Sequence, residues 1–114
     1  MTYKELNTFI ASFGLPYAYN EFPNGTEQEP PFVCFLLNTS NDFLADDVNY
    51  QKIRELTIEL YTDNKDFALE NTIETALTQG GFVYRRDETY LDSERMNMVI
   101  YTTNVIITEE INNG

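Results

Sequence analysis

The sequence predicts an α+β domain in which two helices lie on one face of a mainly antiparallel sheet, in the order α-β-β-β-α-β-β. Three observations carry that expectation. Leu56, Ile58 and Leu60 alternate with Thr57, Glu59 and Tyr61, the pattern of a half-buried strand. Apolar residues recur at helical spacing in two places, Leu6, Phe9, Ile10 and Phe13 near the start and Leu69, Ile73, Ala76 and Leu77 later. Two runs around Asp92-Ser93-Glu94-Arg95 then read as a closing hairpin. The 114 residues suit a single domain, 1–114, with a folded core over 1–108 and a polar, frayed tail over 109–114.

Taken in order, Thr2 and Glu5 form a T-x-x-E capping box and Gly14 supplies a left-handed stop, which predicts a first helix over about Tyr3 to Phe13. Tyr17 to Phe22 reads as a short strand ended at Pro23-Asn24-Gly25, and Thr26 to Pro31 as an acidic loop closed by two prolines. The next strand, Phe32 to about Asn38, is apolar on both faces. Two helices cover only one face of a sheet this size, so a second subunit is the simplest cover for the other. Residues 39–49 place Phe43, Leu44 and Val48 among Asp42, Asp46 and Asp47, in a loop with no core of its own.

The stretch from Tyr50 to Tyr61 organises the rest. Fully extended it spans roughly 40 Å at about 3.3 Å per residue, longer than a usual strand. Its alternation loses phase upstream, where Lys52 and Arg54 fall on the core side and Ile53 on the polar side. Either a bulge sits near Glu55 or the strand leaves its own core there. Leu56, Ile58 and Leu60 are expected to face the helices, and Thr57→Asp is expected to be mild. Asp63-Asn64-Lys65-Asp66 caps the second helix, on which Glu70 and Glu74 lack basic partners, and Gly80-Gly81 ends it. Phe82 to about Leu91 and Met96 to about Thr108 are the last two strands.

The composition excludes more than it assigns. Nineteen acidic against seven basic residues leave a net charge of −12, a field that repels phosphate backbones and anionic membranes. With no histidine and one cysteine, the usual general base, nucleophile-base pair and soft-metal site are missing, so an enzyme is not expected and no cofactor or metal is implied. Cys34 sits in an apolar run and reads as a buried core thiol. Glu27 and Glu29 read as a charged turn, and Arg85 and Arg86, on opposite faces of a strand, as salt-bridge partners rather than a phosphate clamp. The start of the sequence shows no apolar leader and no stretch approaches the ~20 residues of a membrane span, so residence in the cytoplasm is the default expectation.

Particular residues carry a resemblance: Pro16-Tyr17-Ala18-Tyr19-Asn20-Glu21-Phe22, Glu29-Pro30-Pro31-Phe32-Val33-Cys34-Phe35, Glu59-Leu60-Tyr61-Thr62-Asp63-Asn64-Lys65-Asp66, the acidic middle Asn41-Asp42-Phe43-Leu44-Ala45-Asp46-Asp47, and Val99-Ile100-Tyr101. Together they resemble the small proteins encoded in the head-tail region of phages and prophages of low-GC Gram-positive bacteria with long non-contractile tails. The resemblance implies a tail terminator, or tail completion, protein. Such a protein forms a hexameric ring on the tail tube, halts tube growth and offers the surface that joins the head. Its implied partners are the major tail tube protein, a head-closure or connector protein, and DNA that passes without specific binding, with no membrane. Its implied place is the virion tail, assembled in the cytoplasm of the bacterial host. On that reading Phe43, Leu44, Val48 and Ile53 form subunit contacts, and Asp42, Asp46 and Asp47 face the channel. The neighbouring roles are head closure and minor capsid protein, and the rival from another class is an acidic DNA-mimic inhibitor.

Overall fold

The computed structural model describes residues 1–23, 28–40, 43–44 and 50–108. Its elements are α1 (Tyr3–Ala11), β1 (Tyr17–Tyr19), β2 (Phe32–Ser40), β3 (Phe43–Leu44), β4 (Tyr50–Thr62), α2 (Phe67–Gln79), β5 (Tyr84–Leu91) and β6 (Met96–Ile107). The order is the expected one, with the two-residue β3 added inside the loop before the long strand. In the sheet the strands run β1-β2-β4-β6-β5, and β3 pairs with β4. All pairings are antiparallel except β1 with β2.

Local chemistry sets both helix boundaries. At α1 the Glu5 amide donates to Thr2 Oγ1 at 3.0 Å and the Thr2 amide donates to Glu5 Oε1 at 2.8 Å, satisfying two orphan donors reciprocally. These bonds hold the Glu5 carboxyl below its usual pKa. The chain leaves α1 through Gly14 at φ 79°, a value that favours glycine. At α2 the Asp66 side chain accepts from the Leu69 amide at 3.1 Å, and Gly81 at φ 81° follows the last turn.

The core lies between the helices and one sheet face. Leu6, Ile10 and Phe13 from α1 and Ile73 and Leu77 from α2 pack on Val33, Phe35, Leu56, Ile58, Leu60, Val99, Tyr101, Val105 and Ile107. Burying each of the three β4 residues stabilises the fold by roughly 1.5–3 kcal/mol. Their predicted orientation holds. The bulge expected near Glu55 is not on β4, whose register with β6 is unbroken from Lys52↔Ile107 to Thr62↔Asn97. The irregularity is on β2, between Leu37 and Ser40. Lys52 and Arg54 therefore stay on the helix side, and Arg54 Nη1 donates to Ser40 Oγ at 3.1 Å.

Two expectations need correction. The apolar outer face of β2 is covered in part from within the chain: after β1 the backbone turns at Asn20, φ 67°, and sets Phe22 edge-on to Phe32, whose ring stacks on Tyr61 at 4.8 Å. That cover buries Cys34, and burial, with Glu59 and Glu21 nearby, pushes its thiol up to about 11. Thr57 is not a permissive position, since it is 6% exposed and its Oγ1 accepts from Asn38 Nδ2 at 2.7 Å. An aspartate there would bury a charge that the single neutral Asn38 amide does not offset.

Candidate assembly surfaces

The first surface is the end of the sheet beyond the helices. Phe43 and Leu44 lie in β3, paired through the backbone with Gln51 and Tyr50 of β4. This puts two of the four predicted contact residues on one short hairpin. Ile53 follows on β4 opposite Ile106, on the face away from the helices. Val48, with Asp42, Asp46 and Asp47, lies outside the described residues. At the same end the Met1 ammonium donates to the Ile106 carbonyl at 2.9 Å and the Thr108 amide donates to the Met1 carbonyl at 2.9 Å. These bonds occupy the edge of β6 where β5 has not yet begun.

The second surface is the open sheet face. From the register, residues opposite one another share a face, so Glu55, Thr57, Glu59 and Tyr61 of β4 lie beside Asn104, Thr102, Ile100 and Met98 of β6. Phe22 covers the Phe32 corner. Ile53, Ile100 and Met98 remain half-buried and Ile106 is exposed. The Tyr61 hydroxyl donates to Glu59 Oε1 at 2.8 Å, and its pKa is raised by burial first and by that carboxylate second.

The third feature is an ionic cluster where α2 meets β5 and β6, which overturns the expectation that Glu70 and Glu74 have no basic partners. Glu70 is 5% exposed and receives Lys65 Nζ at 2.6 Å and Arg86 Nη2 at 2.5 Å. Arg86 also bonds Glu88 Oε1 at 2.7 Å and lies 3.5 Å from Glu74 Oε2, while Lys65 reaches Glu88 as well. The buried Tyr101 hydroxyl donates to Glu74 Oε2 at 2.8 Å. Hydrogen bonds that Arg86 donates to Glu70 and Glu88 raise its pKa. For Lys65, burial pulls the pKa down, but bonds to the same two carboxylates leave it raised. Lys65 and Arg86 in turn hold Glu88 below its usual value. Burial, then Glu74, raises Tyr101. A shallow cleft of about 530 Å³ opens over Phe67, Glu70, Asn71, Glu74 and Arg86. Its charges satisfy one another, so the arrangement fastens a helix to a sheet and presents no free base or nucleophile among the described residues. Sequence reading missed this cluster because Arg86 lies sixteen residues from Glu70. The one signal was Arg85-Arg86 on a strand: Arg86 turns to the helix and Arg85 to Asp87 on the opposite face, at 3.4 Å.

No protein-family model matches the sequence. No curated protein matches it either. Among solved structures, the fold is similar to a chain of the virion of a native gene transfer agent (GTA) particle, with a TM-score of 0.62 and 15% identity, covering 92% of this chain and 90% of that one. At that identity the likeness establishes a shared fold from end to end.

Proposed function

We propose that the chain is a structural protein of a tailed, phage-like virion, and within that class a tail terminator that acts by shape rather than by catalysis. The observation that carries the reading is the correspondence of nearly the whole fold with a chain of a GTA virion. The resemblance of the sequence to head-tail proteins supports the finer role. Six copies would close a ring on the end of the tail tube, stop the addition of tube subunits and offer the opposite rim to the connector. In that ring the β3 hairpin with Ile53 reaches the neighbouring subunit, and Asp42, Asp46 and Asp47 face passing DNA, which like charge keeps from adhering. The acids of the α2 cluster are consumed by Lys65 and Arg86, which leaves fewer for a DNA-like surface and counts against the mimic reading.

Electron microscopy of particles made without the protein tests the role. A terminator leaves overlong tubes beside full heads that never join. Tails of normal length beside heads that have lost their DNA would instead identify head closure. Normal infectious particles would refute both.

A further inference from the structure

The sheet treats its edges unequally. On one side the outer strand β1 is three residues long, and its Tyr19 hydroxyl accepts from the Leu37 amide at 3.1 Å. The end of β6 is occupied by Met1. The other side is β5, eight residues with no proline, in unbroken register with β6 from Tyr84↔Thr103 to Leu91↔Met96, and no backbone partner covers its outer edge among the described residues. Such an edge is a template for another strand unless something blocks it. Its blocking charges here are of both signs: Arg85, Arg86, Asp87, Glu88.

We propose that β5 pairs with β5 of a second copy of this chain, antiparallel, about a two-fold axis through Asp87 and perpendicular to the sheet. Such an axis keeps the helices of both copies on one side, so each residue opposes one from the same face. Centred on Asp87, the pairing sets Arg86 against Glu88 of the second copy, twice. It also sets Tyr84 against Tyr90 and Val83 against Leu91. Val83 is 91% exposed although Thr103 Oγ1 donates to its carbonyl at 2.6 Å, so an apolar side chain is held just ahead of β5 with nothing over it. Moving the axis to Arg86 or to Glu88 still leaves like charges at the centre, as Asp87 does, and forfeits both the Tyr84–Tyr90 and the Val83–Leu91 pair. Only Asp87 meets a like charge in the proposed register. The pairing is independent of the ring reading, because it is measured on the purified free chain.

Sedimentation velocity over a dilution series should show a reversible dimer, and monomer at every concentration would overturn the proposal. Asp87→Asn removes the like-charge contact at the axis and should tighten the dimer by about threefold. Val83→Asp, at a site too exposed to affect folding, should weaken it by about tenfold or more. An unchanged dimer in Val83→Asp would overturn the register. Under mild oxidation Asp87→Cys should cross-link into dimers, since the two thiols meet directly across the axis with Cβ atoms about 4.5 Å apart at closest, the outer limit of disulfide reach. Thr89→Cys, two residues from the axis, should not, and buried Cys34 should stay silent in both. Equal cross-linking at 87 and 89, or a dimer with none at 87, would place the contact elsewhere and refute the pairing.

Discussion

β2, β4 and β6 each present one face to the helices and one away from them, and the two faces obey different rules. On the helix side Leu56, Ile58 and Leu60 meet Leu6, Ile10, Ile73 and Leu77, and water is excluded. On the other, Ile53, Ile100 and Ile106 stand among Glu55, Glu59, Thr102 and Asn104. Isoleucine occurs on both, yet Ile58 is 0% exposed and Ile106 47%. Being apolar does not bury a residue; belonging to the right half of the pleat, under an element that can cover it, does.

Substituting the same residue on each face gives the largest test. Ile58→Asp buries a charge with no partner and should abolish the cooperative thermal transition, at a cost of several kcal/mol. Ile106→Asp should shift the midpoint little. Equal damage from both would mean that the two faces are not distinct.

Removing the fastening between α2 and the sheet sharpens the contrast from the helix side. Glu70→Ala removes the buried one of the two carboxylates that Lys65 and Arg86 share and should cost about 2 kcal/mol, less than a fully buried pair because both cations reach solvent and keep Glu88. The urea midpoint should fall with an unchanged slope. An unmoved midpoint would show that packing of Ile73 and Leu77 alone holds the helix.

The smallest effect is in acid. The Glu88 carboxyl is held below its ordinary value of 4.5 by Lys65 and Arg86, so its contribution is present above that value and is lost as pH falls through the lower folded-state value. Lys65, with a raised pKa, contributes throughout this range and loses its share only in strong alkali. Stability should therefore decline below about pH 4.5, and Glu88→Gln should decline less steeply over the same window. Superimposable profiles would remove Glu88 from the cluster's energetics.

What could be read in the sequence depended on how local the cause was. The capping box, the Asp66 cap, the alternation of Leu56, Ile58 and Leu60, and both helical stripes are set by neighbours within a few residues, and each is found where expected. The acidic partners of Arg86, the cover of Cys34 by the segment carrying Phe22, and the position of the bulge are set by pairing between distant strands. The lost phase at Lys52 and Arg54 was a true signal with a different cause. Lys52 and Arg54 are only half-buried beside Ile107 and Val105, and Arg54 bonds Ser40, so a polar residue is tolerated without any change of register. Of the candidate interface, Ile53 and the two β3 residues can be placed, while Val48 and the three aspartates lie outside the described residues.

The unbroken pairing of β4 with β6 also has a consequence in time. Lys52 lies opposite Ile107 and Thr62 opposite Asn97, so the middle strand acquires its second neighbour only when the last strand exists. Contacts this remote in sequence close late and slowly. Throughout synthesis β4 can pair with β2 and receive α1 and α2, but its other flank stays bare until the β5–β6 hairpin arrives as a unit. A chain released early, or one whose hairpin turn is slow to form, therefore offers the open edge of a thirteen-residue strand to its neighbours. The speed at which the final hairpin docks then sets how long that edge stays open, a kinetic demand placed on the stretch from Tyr84 to Ile107 rather than on the core it completes.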